Sequence, residues 1–185
     1  LATVDGRGLI NVEQLSKLID NQTILISVGY VNNEIGSIQP IKQLAELVTS
    51  IRQKRQKEKN PLPLYLHTDA CQAVNYLDIS VARLGVDMMS INSGKIYGPK
   101  QVGALYVKAG IRLKPLIEGG GQENGLRSGT ENVAAIAGFS TALELAVKKH
   151  QAESKRLIKI RDQSVKFLLD NVSNSAINGP TSSKR

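Results

Sequence analysis

The sequence predicts an α/β fold, a mostly parallel, wound sheet with flanking helices. Three observations carry that expectation. Short apolar runs alternate with segments whose apolar residues recur at helical spacing. The 185 residues are 41% hydrophobic, enough for one core of ordinary size. Turn-forming residues, among them Asp20-Asn21, Pro61 and Gly98-Pro99, separate the segments.

Asn11 is placed to cap a first helix whose residues Val12, Leu15, Leu18 and Ile19 share one face. Residues 23–30 are short, continuous and β-rich, so they read as a strand covered on both faces. After a loop, residues 41–57 set Ile41, Leu44, Leu47, Val48 and Ile51 at helical spacing. A second buried strand is expected at residues 62–67, bounded by Pro61 and Pro63, then a helical turn near 79–84. Strands at 87–91 and 102–107 follow, and this last pair admits an antiparallel member. Residues 131–149 form a long amphipathic helix, and a further periodic segment at 151–172 carries Leu157, Ile160, Val165, Leu168 and Leu169. Residues 175–185 begin an element that is not completed, and Leu1 is not an initiator methionine, so the chain reads as a piece of something longer.

Composition narrows the function classes. The formal net charge is +8, with Lys and Arg concentrated at residues 52–59 and 148–161. At helical spacing such runs read as solvated helix faces, and nucleic-acid binding is the lesser reading because basic surface alone gives only salt-sensitive, non-specific affinity. The single cysteine, Cys71, excludes an internal disulfide and a multi-thiolate metal site, and it points to a reducing, cytoplasmic compartment. His67 and His150 are the only histidines, so no metal site is expected. No apolar run approaches the roughly 20 residues that cross a bilayer.

In open α/β sheets, ligands gather outside the carboxyl ends of the strands, and the polar residues cluster there. The first strand runs into Asn32-Asn33-Glu34, the second into Asp69 and Gln72, the third into Asn92-Ser93-Gly94-Lys95. A lysine amine, an acidic partner for a basic ring nitrogen, ring-oxygen donors and a phosphate cradle are the parts of a pyridoxal phosphate site. Lys95 and Asp69 supply the first two. Gln72 and Asn33 are candidates for the ring oxygen or the substrate, Asn92 and Ser93 for the phosphate. The glycine-rich residues 119–125 lack the Gly-Lys-Ser/Thr ending of a nucleotide loop and read as a flexible surface connection.

Four motifs, VNNEIGSIQPI, HTDACQAV, SGKIYGPKQVGALYV and GGGQENGLRSGT, resemble in order and spacing the core of the cysteine desulfurases of the NifS/IscS type, which are class V aminotransferase-group enzymes. The resemblance covers essentially the whole chain. It implies that residues 1–185 are the central part of the large domain of a fold type I pyridoxal phosphate enzyme. It further implies that Lys95 holds the cofactor aldehyde and shuttles the substrate α-proton, that Asp69 pairs with the ring nitrogen, and that Gln72 and Asn33 contact the ring oxygen or the amino acid. Thr130, in RSGT, matches a threonine that reaches the partner subunit's phosphate, which implies a homodimer. The implied substrate is L-cysteine, with alanine as product and a sulfur-acceptor protein as partner.

Two departures stand out. Many members carry a serine and a histidine before the lysine, where this chain reads Asn92-Ser93-Gly94; others resemble the asparagine form. The family's phosphate loop and stacking histidine correspond to positions before Leu1, and its nucleophilic cysteine to positions after Arg185, so the chain alone is expected to be inactive. Cys71 reads as a buried structural thiol. The alternatives are another class V enzyme, a selenocysteine lyase or small-amino-acid aminotransferase, and a basic nucleic-acid-binding module. His67 is expected half-buried with its ring satisfied, and His150 solvent-facing. Arg127 is open to an acidic group or a neighbouring subunit.

Overall fold

A computed structural model describes residues 1–181. The elements are α1 (Val12–Leu18), β1 (Leu25–Gly29), α2 (Ile41–Lys57), β2 (Tyr65–Asp69), α3 (Val81–Leu84), β3 (Met88–Asn92), β4 (Gly103–Val107) and α4 (Val133–Asn171). The four strands form one sheet in the order β1-β2-β3-β4. The first three are parallel and β4 pairs antiparallel with β3. This is the α/β arrangement expected, and the last pair, left open by the sequence, is antiparallel. Asn11 caps α1 by accepting from the Gln14 amide at 3.0 Å.

Helix α2 covers one face of the sheet. Ile41, Leu44 and Val48 are sealed against Ile26, Leu66 and Met89. Each such side chain contributes about 1.5–3 kcal/mol by leaving water. The opposite face is different, which corrects the expectation that the first strand is covered on both sides. In β1 only Ile26 is buried, while Leu25 is 48% exposed. Within these residues α1 and α2 lie on one side, so the alternate side chains of the strand have no layer above them.

Two boundaries move for identifiable reasons. Strand β2 starts at Tyr65 rather than residue 62, because Pro63 has no N–H for the ladder. The carbonyls of residues 62–64 accept instead from α2: Arg55 Nη1 donates to Leu62 at 3.2 Å and Pro63 at 3.0 Å, and Arg52 Nε to Leu64 at 2.8 Å. The two periodic segments after residue 131 are one 39-residue helix, α4. No Gly or Pro lies between residues 139 and 171 to break it. Its first turns pack on the turn after β3, where Phe139 and Ala146 bury with Val74 and Ile96. Its later turns are open, with Phe167 65% exposed. Among the described residues no helix is long and apolar enough to cross a membrane. Residues 182–185 of the terminal segment lie outside the described residues.

Candidate active site

Parallel pairing brings three strand ends to one rim. Gly29 is in register with Asp69, and Asp69 with Ser90. The Tyr30 amide then donates to the Asp69 carbonyl at 2.8 Å and the Ala70 amide to Ser90 at 2.9 Å, so the loops leave side by side. Strand β2 runs two residues further than expected, making Asp69 its last residue.

Asp69 is exposed, and one carboxylate oxygen, Oδ1, accepts from the Cys71 amide at 2.9 Å. It therefore caps its own turn. A capping carboxylate still has a second oxygen with free acceptor capacity.

Lys95 is exposed on a 3-10 turn, Ser93–Ile96, directly after β3. The turn closes through Tyr97 at φ 64° and a Gly98 amide bond to the Ser93 carbonyl at 3.0 Å. Gly98 must be glycine: a Cβ there would collide with Ser93 Oγ and stand 2.9 Å from the Ala142 Cβ of α4. The Lys95 carbonyl accepts from the side-chain amide of Asn75 at 2.9 Å. No motif or periodicity singles out Asn75, whose partner lies twenty residues along the chain.

Cys71 is half-buried in the turn that Asp69 caps. Burial is the main reason its thiol is pushed up to about 12; the hydrogen bond the thiol donates to the Asp69 carboxylate and the Asp69 charge add to this, and the Lys95 ammonium opposes them. The thiol thus feels both the carboxylate and the amine. It is protonated at neutral pH, as a structural thiol is.

The two phosphate candidates part company. Asn92 is exposed at the end of β3, and its Oδ1 would stand 3.2 Å from a Cβ added at Gly94, so the bare glycine leaves open space beside it. Ser93 is fully buried, its Oγ lacks a hydrogen-bond partner among the described residues, and it faces Gly98 on the α4 side. That side chain does not reach the rim. Gln72 is half-buried in the loop after β2. In the loop after β1 it is Asn32 that satisfies the backbone, accepting from Glu34 at 2.9 Å and Ile35 at 3.0 Å, and Asn33 is left exposed at the tip.

Thr130 lies elsewhere, exposed two residues before Asn132, which caps α4 by accepting from Ala135 at 3.1 Å. The glycine-rich connection ahead of it is tied down rather than loose. Ser128 is buried, its Oγ accepts from the Gly121 amide at 3.3 Å, and Gln122 Oε1 accepts from Gly129 at 3.0 Å. Arg127 turns back to the Ser128 carbonyl at 2.8 Å.

His67 is half-buried with both ring nitrogens bonded, to Ser27 Oγ at 2.8 Å and Ser90 Oγ at 2.9 Å. Burial holds its imidazole below the usual value, with Asp69 pulling the other way. His150, expected to face solvent, is half-buried, with Nδ1 2.6 Å from the Val147 carbonyl.

Comparison with known proteins decides the family: the model of the class V aminotransferases matches residues 1–185. The chain belongs to that family. A cysteine desulfurase IscS of Clostridium botulinum is 42% identical over 182 residues, covering 98% of this chain and 43% of that protein. Among solved structures, a NifS-like protein superimposes with a TM-score of 0.82 at 39% identity, covering 91% of this chain and 44% of that one. A structure of SspA in complex with cysteine matches with a TM-score of 0.68 at 40% identity, over 77% of this chain and 38% of that one. The chain therefore spans less than half the length of these relatives.

Proposed function

We propose that residues 1–185 are the central part of the pyridoxal-phosphate-binding large domain of a cysteine desulfurase, which takes L-cysteine to L-alanine and leaves the sulfur as a persulfide on a thiol. The observation that supports this is one rim of neighbouring strand ends carrying an exposed carboxylate, Asp69, as the last residue of β2 and an exposed amine, Lys95, on the turn directly after β3. The cysteine bound by SspA supports the substrate.

The residues present fit the cofactor: an amine for its aldehyde, a carboxylate for its ring nitrogen, and open space over Gly94 beside the Asn92 amide. Bound pyridoxal phosphate supplies an electron sink through its protonated ring nitrogen. Asp69 holds the proton on that nitrogen with the oxygen outside its own turn. Lys95 would hold the aldehyde end of the cofactor and would move the proton at the substrate α-carbon. Asn33 and Gln72 orient the ring oxygen or the amino acid. Of the two phosphate candidates we assign Asn92, since Ser93 Oγ is sealed beneath the turn. Thr130 serves the phosphate of a second copy, making the working unit a homodimer.

We do not assign the sulfur-taking step to Cys71: it is half-buried beside Asp69, and burial pushes its thiol up, against the thiolate that attacks. We assign that step to a cysteine outside residues 1–185. The chain alone is then inactive, and the sulfur passes on to an acceptor protein, as in iron–sulfur cluster assembly in the cytoplasm. Nucleic acid is not a partner we assign: in the 52–59 run Arg55 is buried and Arg52 is paired with Asp87.

The test is product analysis on the full-length protein. Equal amounts of alanine and thiol-releasable sulfur from L-cysteine, both lost with Lys95→Ala, are the expected result. Turnover of L-selenocysteine alone, or amino transfer to a keto acid without sulfur release, would assign another class V activity.

A further inference from the structure

We propose that Asn75 is a positioning residue for Lys95: from the segment that follows Asp69, its side-chain amide holds the Lys95 carbonyl and sets where the lysine amine stands relative to the carboxylate. The proposal rests on the reading of Lys95 as the cofactor lysine.

The 3-10 turn carrying Lys95 is four residues long and has few internal bonds. Its Ser93 carbonyl accepts from the Tyr97 and Gly98 amides. The last carbonyls of any helix lack partners within it, and Lys95 is one residue from the end. Asn75 Nδ2 fills that vacancy at 2.9 Å.

Asn75 is not an independent support. It belongs to a continuous turn segment that starts at Asp69 and is held by Cys71 N to Asp69 Oδ1 at 2.9 Å, Ala73 N to the Ala70 carbonyl at 2.8 Å and Tyr76 N to the Ala73 carbonyl at 2.9 Å. Val74 and Ile96, neighbours in sequence of Asn75 and Lys95, are 1% and 3% exposed and pack in one cluster. The apolar pair presses the two segments together but has no direction; the hydrogen bond adds one. One segment therefore carries Asp69 at its start and the clamp on Lys95 near its end, so carboxylate and amine are indexed to a common frame. A lysine side chain is long and flexible, which leaves the position of its backbone as the part the fold can fix. Misplacing a reacting group by about 1 Å can cost 10²-fold in rate.

Asn75→Asp keeps the shape and removes the donor, and Asn75→Ala removes both; loss of one hydrogen bond at this half-exposed loop leaves the fold intact, checked by thermal unfolding. In the full-length protein two readouts are taken. One is the pH titration of the bound cofactor's visible absorbance, with borohydride fixation at Lys95. The other, on cofactor-free protein, is competitive acetylation of Lys95 relative to Lys100. The expected result is a shifted titration, a Lys95:Lys100 labelling ratio changed by twofold or more, and kcat lower by roughly tenfold with little change in KM. If wild type fixes cofactor at Lys95 and both variants match it in titration and labelling, the role of Asn75 is overturned and the proposed function stands. If wild type fixes none at Lys95, both fall.

Discussion

At the amino ends of β2 and β3, Arg52, Arg55 and Asp87 are closed in on protein groups; at the carboxyl ends of the same strands, Asp69, Asn92 and Lys95 face outward. Arg55 is 3% exposed and donates to the carbonyls of Leu62, Pro63, Asp20 and Thr23, tying together the chain before β1 and β2. Asp87, also 3% exposed, takes Arg52 and, at 2.8 Å, the Leu66 amide on one oxygen. The Asp87 amide returns a bond to the Leu66 carbonyl at 2.9 Å, which locks β3 onto β2 in register. A one-residue slip would turn every side chain to the other face. Charge at one end is consumed in holding the strands; charge at the other is left exposed. The lesson is that the same residue types are structural or chemical according to whether the fold has already supplied their partners.

The sharpest test of the outward end is Lys95→Ala in the full-length protein. It is expected to abolish cofactor fixation and cut turnover by roughly 10³-fold or more while leaving the unfolding midpoint unmoved. A large loss of stability would move Lys95 into the structural class and break the contrast.

The inward end should respond the opposite way. Asp87→Ala leaves Arg52 without its anion and the Leu66 amide without its acceptor, and about 3–5 kcal/mol of stability should be lost in urea unfolding. An unchanged midpoint would mean that the clamp does not hold the register.

Cys71 sits on the outward rim but should behave as an inward group. With its thiol at about 12, alkylation by iodoacetamide near pH 8 should be slower than for an unperturbed thiol by on the order of 50-fold, read by mass spectrometry. Fast labelling would put a reactive nucleophile in the site.

The smallest effect belongs to a pair at neither end. Arg83 holds the Asp78 carboxyl down to about 2, chiefly by its hydrogen bond; burial opposes this, and the Ser80 amide and the charges of Arg83 and His150 add to it. A depressed carboxyl stabilises the fold above its ordinary value of 3.8, and the contribution fades as pH falls from there through about 2. With Asp78 46% exposed, solvent screening limits it to about 1 kcal/mol or less. Asp78→Asn should remove it at pH 7 and leave stability at pH 2 close to that of the wild type; equal losses at both values would exclude the ionic origin.

Much of the fold was legible because it is written in local pattern. Helix α2 begins and ends where its periodicity does, at Ile41 and Lys57, and β3 and β4 lie within one residue of their apolar runs. The shifted start of β2 was less so: Pro63 marks the place, but the carbonyl acceptors that use up residues 62–64 come from α2. Arg55 stands in a basic run at helical spacing, a pattern that predicts a solvated face; only the approach of four carbonyls explains its burial. The strand-end residues Asp69 and Lys95 could be singled out from motif and position. Asn75 could not, because a single side-chain bond across the fold leaves no periodicity.

By itself the sequence determined the elements, the α/β class and the residue types available at three strand ends, because helix and strand periods and turn chemistry act over a few residues at a time. Only the tertiary structure decided that Ser93 turns inward while Asn92 stays at the rim, that Arg55 is sealed and Lys95 open, and that Asp69 and Lys95 share a frame through Asn75. The physical reason is the same in each case: burial and hydrogen-bond satisfaction depend on which distant groups arrive beside a residue.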